Sequence, residues 1–224
     1  AGRTAYNEDH EMFRDTVRKV LGDVMEPKLD QHEAEGVVGR EEWKAVGAAG
    51  MLCPTVSEEY GGLGLDFGYN AVVDEELAYL GSSAGFTLQS DITANYLEQY
   101  GSEEQKKKYL PGMVSGEIIS AIAMTEPGTG SDLQGVRTTA KKDGNHLIVN
   151  GSKTYITNGQ NADFVIVVAK TDPDAGAKGI SLVLVDADSE GFERGRNLDK
   201  VGQGDMMSQL IQVNQSTATC CTSE

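Results

Sequence analysis

Cysteine, basic residues and long apolar runs are all scarce in this sequence, and each scarcity removes a class of function. Three cysteines stand in 224 residues, Cys53 and the adjacent Cys220-Cys221, and they form neither a disulfide framework nor a zinc-ligand spacing. A reducing compartment fits them. No apolar run is long enough to cross a bilayer. No basic, apolar-cored leader opens the chain. It begins Ala-Gly without an initiator Met, as a processed, trimmed or partial product would. Lys and Arg number 19 against 35 Asp and Glu, a formal charge of −16. A chain this acidic repels nucleic acid and anionic membrane surfaces, so neither is an expected partner. The Lys106-Lys107-Lys108 run follows Glu103 and Glu104 and reads as the positive C-terminal half of one helix. His10, His32 and His146 lie in polar contexts and read as surface residues, so no metal site is expected.

What is present falls into two halves of different period. Met12, Phe13, Val17, Val20, Leu21 and Val24 sit at helical spacing within residues 8–25, and Pro27 limits the continuation. A second helix is predicted over about residues 40–50, closed by Gly50, with Trp43 as its core anchor. Ser57–Gly64 is a glycine-rich loop, but it lacks the Lys-Ser/Thr ending and the preceding strand of a phosphate loop. Asp66 caps a helix through about Leu80, on which Glu75-Glu76 reads as an exposed charge pair. Phe86–Tyr100 is a further helix ended by Gly101. Ser102-Glu103-Glu104-Gln105 is a capping box that opens a helix to Leu110, ahead of Pro111-Gly112.

At Glu117 the period changes to about 2, that of a strand. Ile118–Met124 reads as a strand, and Val136–Lys142 and His146–Asn150 form a hairpin about Asp143-Gly144. Lys153–Thr157 reads as a short β-branched strand. Phe164–Lys170 reads as a strand buried on both faces and Ile180–Val185 as another, joined by the turn-rich Asp172–Gly179. The prediction is an α+β chain: an all-α bundle of five elements over 1–116, an antiparallel β-barrel or sandwich over 117–213, and an atypical tail over 214–224. The order of helices then strands argues against a Rossmann unit and nicotinamide binding through it.

The stretch that organises the chain is Ala121–Asp132, Ala-Ile-Ala-Met-Thr-Glu-Pro-Gly-Thr-Gly-Ser-Asp. It starts as an apolar strand, breaks at Pro127-Gly128, and offers two glycines interleaved with Thr125, Thr129 and Ser131. Gly128 and Gly130 carry no Cβ, so backbone N–H groups there can come close to phosphate or ring-carbonyl oxygens. On these residues alone, an ordinary strand-to-strand turn is the alternative.

Four segments in this order carry a resemblance: Ser57–Gly64 (Ser-Glu-Glu-Tyr-Gly-Gly-Leu-Gly), Gly101–Gly116, Met124–Asp132, and Asn150–Gly159 (Asn-Gly-Ser-Lys-Thr-Tyr-Ile-Thr-Asn-Gly). With them, residues 8–204 resemble the acyl-CoA dehydrogenase family of flavoproteins, and Ala123–Gly135 looks closest to its long-chain branch. The resemblance implies FAD as cofactor. Ile122, Met124 and Thr125 would lie along the flavin ring, with main-chain groups at its polar edge. Gly130 and Ser131 would approach the FAD phosphates, and Ser131 would also face the acyl-CoA. Tyr155, Ile156 and Thr157 would close the other side, Tyr155 covering a flat ring with a flat ring and Thr157 donating its hydroxyl. Ala177 and Lys178 would lie near the CoA part. For each side chain the alternative is strand packing, most plainly for Ile122 and Ile156.

The implied reaction is α,β-dehydrogenation of a fatty acyl-CoA thioester, with an electron-transfer flavoprotein as acceptor. It places the chain in a bacterial cytoplasm or a mitochondrial matrix. An acyl-CoA oxidase of the same fold and a non-catalytic flavin- or acyl-CoA-binding remnant are the other readings. The family continues into a second helical bundle, which supplies the catalytic glutamate and the tetramer interface. The 224 residues do not include it, so no catalytic base is assigned, Glu126 included. This chain is expected to be inactive alone and to form dimers or aggregates. After Lys200-Val201-Gly202 the family expects an apolar strand and a Val-x-Val-Pro-like turn. Ser208–Ile211 begins plausibly, but Asn214–Glu224 shows no strand period, which reads as a shifted frame, alternative splice or truncated gene, with Cys220-Cys221 accidental.

Overall fold

The computed structural model describes residues 5–198 and the backbone of 209–220. The chain divides into two compact units. One holds the residues up to Glu98 together with Lys106–Ile118. The other holds Gln99–Gln105 and, among the described residues, 119–198 and 209–220.

The helical unit is built from α1 (Glu8–Val24), α2 (Leu29–Glu35), α3 (Arg40–Ala48), α4 (Phe67–Leu80), a π-helical turn (Leu88–Thr93) that leads into α5 (Ala94–Tyr100), and α6 (Glu103–Ser115). Trp43 is fully buried and meets Phe86 edge-on, ring centroids 4.6 Å apart. Asp66 caps α4 by accepting from the Gly68 N–H (2.7 Å). The Ser102–Gln105 capping box is formed in both directions.

Four expectations are corrected here. His10 and His32 are buried, not surface residues. His10 closes a capping box with Asn7 and lies 3.0 Å from Asp66. Glu76 is buried rather than exposed, because Arg14 donates to it from α1 (2.8 Å) and Arg18 joins it (2.7 Å). Burial alone would raise the Glu76 pKa, and the two guanidiniums bring it below the ordinary value. The Phe86–Tyr100 helix carries the π-turn. The last helix runs through Pro111 to Ser115, since Tyr109, Leu110 and Met113 on both sides of the proline are buried and hold it together.

The β unit contains β1 (Ser120–Ala123), β2 (Thr139–Asp143), β3 (His146–Lys153), β4 (Phe164–Lys170), β5 (Ile180–Asp186), β6 (Phe192–Asn197) and β7 (Gln209–Cys220). β2, β3, β7, β5 and β4 pair in a ring, closed where Thr139 pairs with Lys170. Alternate residues line its interior: Ala121 and Ala123, Val165, Val167 and Ala169, Val183 and Val185, with Ala140 and Val149. The small side chains suit a narrow barrel. Phe164, Ile166 and Val168 on the other face of β4 are buried as well, as its continuous apolar run implies.

The sheet is mixed, which corrects the antiparallel reading. β1 and β2 both run parallel to β4. The connection from β1 to β4 is long enough for a parallel return because it contains the β2–β3 hairpin. β1 and β2 share one edge of β4, end to end. The loop 124–138 therefore leaves the sheet between them. The Lys153–Thr157 strand is also corrected: β3 ends at Lys153. The tail is corrected too, for β7 runs to Cys220 and pairs with β3, β5 and β6. Cys221 and the rest of the tail lie outside the described residues.

Candidate functional site

Glu126 organises the loop that leaves β1. Its carboxylate accepts from the N–H of Arg137 (2.6 Å), the N–H and Oγ1 of Thr138 (2.9 and 2.6 Å) and Lys153 Nζ (2.9 Å). Both ends of the loop are thereby tied to one buried group. Burial would raise the Glu126 pKa, but the donors, led by the Thr138 hydroxyl, bring it down to about 2. A carboxylate so occupied is a structural clamp and a poor proton acceptor. Within the loop, Glu126 and Thr129 exchange backbone bonds (2.8 and 3.0 Å) around Pro127-Gly128. Thr129 Oγ1 donates to the Gly135 carbonyl (3.0 Å).

Lys153 is fully buried at the end of β3. Its ammonium also donates to the Met124 carbonyl (2.9 Å). Burial pushes the Lys153 pKa down, and the Glu126 carboxylate opposes that. The next residue continues the link, with the Thr154 N–H donating to the Thr125 carbonyl (2.9 Å). Asn158 then donates from Nδ2 to the Ser120 carbonyl (3.1 Å). The segment 154–158 is thus bonded to the residues at both ends of β1.

This arrangement brings together most of the residues named from the sequence. Ile122 is buried in β1, and Met124 and Thr125 are half-buried at its end. Ile156 is buried in the barrel cluster, and Thr157 is half-buried beside it. Tyr155 is 63% exposed and has φ +59°. A bulky residue in the left-handed region is an outlier, and an aromatic held there facing solvent marks a binding position better than a packing one. Gly130 and Ser131 are exposed on the loop. A Cβ added at Gly128 or Gly130 would meet nothing within 4 Å, and neither has a positive φ. Among the described residues nothing requires glycine at those two positions; the close approach of a ligand to the backbone would. These features fit a flat-ringed, phosphate-bearing group. Ala177 and Lys178 stand apart. They are exposed in the 3-10 segment Pro173–Gly179, whose ends are joined by bonds from Thr171 and Asp172 to Gly179.

Sequence reasoning missed the supporting residues Glu126, Thr138, Lys153 and Asn158. A signal for Lys153 was present: the alternation that buries Val149 also turns positions 151 and 153 inward. Gly151 belongs to the same set, since a Cβ there would meet Thr138 Oγ1 at 2.1 Å. Cys53 is no candidate nucleophile, because burial pushes its thiol up to about 12. Among the described residues no group of three or more His, Cys, Asp or Glu could hold a metal, and no helix is long and apolar enough to cross a membrane.

Residues 7–117 match the acyl-CoA dehydrogenase N-terminal domain and residues 121–216 the acyl-CoA dehydrogenase middle domain. Long-chain specific acyl-CoA dehydrogenase of Sus scrofa mitochondria is 49% identical over 203 residues, 89% of this chain and 47% of that protein. Isovaleryl-CoA dehydrogenase of Pongo abelii mitochondria is 39% identical over 212 residues, 92% of this chain and 50% of that protein. The crystal structure of an acyl-CoA dehydrogenase from Geobacillus kaustophilus matches with a TM-score of 0.95 at 46% identity, covering all of this chain and 60% of the other. A glutaryl-CoA dehydrogenase from Mycobacterium smegmatis, in complex with FADH2, matches with a TM-score of 0.87 at 28% identity, covering 97% of this chain and 56% of the other. The chain thus spans about half the length of the curated relatives it matches. With a helical unit, a β-barrel unit and the Glu126-clamped loop in this order, the chain belongs to the acyl-CoA dehydrogenase family.

Proposed function

We propose that these 224 residues hold FAD and an acyl-CoA for α,β-dehydrogenation of a fatty acyl thioester. The observation that carries the reading is Tyr155, an exposed aromatic on left-handed backbone, held beside the Met124–Thr125 edge by the Thr154–Thr125 bond. Ile122, Met124, Thr125, Tyr155, Ile156 and Thr157 would hold the flavin ring. Gly130 and Ser131 would hold the phosphates, with Ser131, Ala177 and Lys178 toward the acyl-CoA. FAD, when bound, supplies the hydride acceptor. The chain's own part is to cover the ring with Tyr155, exclude water, and present N–H and hydroxyl donors that favour negative charge on the reduced cofactor.

The base that removes the α proton is not assigned to these residues, because Glu126, the carboxylate in the loop, is ionised and fully engaged. Turnover by this chain alone is therefore not expected. An electron-transfer flavoprotein fits as acceptor and a bacterial cytoplasm or mitochondrial matrix as compartment. Among the structural neighbours is one described as the electron transferring flavoprotein of Acidaminococcus fermentans; the Sus scrofa and Pongo abelii relatives are mitochondrial, and the Geobacillus and Mycobacterium structures are bacterial. Assembly with further copies fits the family. The long-chain relatives favour a long acyl chain.

The test is an absorbance spectrum of the purified chain with added FAD, repeated anaerobically with a long-chain acyl-CoA. A bound flavin band that persists is the expected result. A band that bleaches would show that a base is present after all, and no bound flavin would overturn the cofactor assignment for this chain.

A further inference from the structure

We infer that Lys153 is a positioning residue that polarises the Met124–Thr125 peptide and aims a strengthened Thr125 N–H at the bound flavin's polar edge, with Glu126 as the counter-charge that lets a lysine occupy the site. The inference rests on the flavin reading above.

Lys153 Nζ donates to the Met124 carbonyl and to Glu126 Oε1, each at 2.9 Å, and its side chain is fully buried. That carbonyl and the Thr125 N–H belong to one peptide unit. Among the described residues no peptide bond is cis, so the two groups point in opposite directions. With the carbonyl turned toward Lys153, the N–H faces away from it. A full positive charge on the carbonyl draws electron density through the amide, and chained hydrogen bonds strengthen one another in this way. The next peptide is also fixed, its carbonyl by the Thr154 N–H (2.9 Å) and its N–H by the Thr129 carbonyl (2.8 Å). The Thr125 donor therefore has little freedom to turn.

Stability alone does not account for a charge pair here. A buried ion pair is commonly no better than two apolar side chains of similar volume. What an apolar pair could not do is hold one peptide carbonyl and bias its N–H toward negative charge. The charge of Lys153 would then reach the cofactor through Thr125 without touching it.

The experiment compares the chain with its Lys153→Met, Lys153→Arg and Val183→Ala variants. Val183 lies in the barrel interior and serves as a control for destabilisation. FAD affinity and the reduction potential of the bound flavin are measured, with amide exchange at Thr125 in the unliganded chain as a third reading. Lys153→Met is expected to weaken FAD binding about tenfold or more, the scale of one charge-assisted bond. It should also lower the potential and, because a less polarised N–H is less acidic, slow base-catalysed exchange at Thr125. Lys153→Arg should restore the potential, and Val183→Ala should leave it unchanged. If Lys153→Met does not fold, the neutral pair Glu126→Gln with Lys153→Met is read in the same way. Unchanged affinity and potential in the Lys153 variant, or an equal shift in Val183→Ala, would overturn the inference. A wild-type chain that binds no FAD would instead overturn the flavin reading, and the inference with it.

Discussion

Replacing Glu126 by Gln tests the clamp directly. The carboxylate takes four donors from Arg137, Thr138 and Lys153. A Gln amide offers one oxygen and turns an NH2 group against donors it cannot satisfy. It also leaves the buried Lys153 ammonium without its counter-charge, a loss of the order of 3–5 kcal/mol. The pKa gives an independent figure: a fall from the ordinary 4.5 to about 2 corresponds to about 3 kcal/mol of native stability. Because the folded-state pKa is depressed, that contribution is complete above about pH 4.5 and lost as the pH falls through about 2. Urea unfolding of both proteins should show a gap of about 3 kcal/mol at pH 7, shrinking to less than half of that at pH 3, where wild-type Glu126 is closer to protonation. A gap under about 1 kcal/mol at pH 7, or one that does not change with pH, would refute the reasoning.

The other predictions concern separate sites. Gly128→Ala and Gly130→Ala should leave the unfolding midpoint unchanged while weakening FAD binding, because an added Cβ meets only open space in the chain itself; unchanged flavin affinity would place the cofactor elsewhere. Gly151→Ala should destabilise by about 1–3 kcal/mol, since its Cβ would overlap Thr138, and a neutral result in thermal melts would contradict the packing described. Arg14→Ala should cost about 2–4 kcal/mol by leaving the buried Glu76 with Arg18 as its remaining guanidinium; denaturant titration would expose a smaller effect. Asp74 is pushed up to about 7 by burial and by the facing Asp91 carboxylate. Its raised pKa makes the wild type lose stability as pH rises from about 4 to 7. Asp74→Asn should therefore be the more stable protein at pH 8, with the advantage gone at pH 4; an advantage independent of pH in urea melts would speak against the carboxyl pair.

Much of the fold was legible because local chemistry and tertiary structure agree. The capping signals at Asp66 and Ser102, the Asp143-Gly144 hairpin and the doubly buried β4 all act within a few residues or one strand. The clustering of Met124–Thr125 with Tyr155–Thr157 was legible only through the family resemblance, since some thirty residues separate them in the chain. The errors share a cause. His10 and Glu76 look like surface residues from their neighbours in sequence, and each is buried with partners outside its own segment: Asp66 for the one, Arg14 and Arg18 for the other.

Period, caps and turn residues settled most of the helices, most of the strands and the change of architecture at Glu117, because these depend on interactions along the chain. Tertiary structure alone decided that β1 and β2 run parallel to one edge of β4, that β7 completes the ring, and that Glu126 is buried under four donors. Strand direction and the ionisation of a buried carboxylate depend on which distant groups arrive beside it, and the spacing of residues along a chain does not specify that.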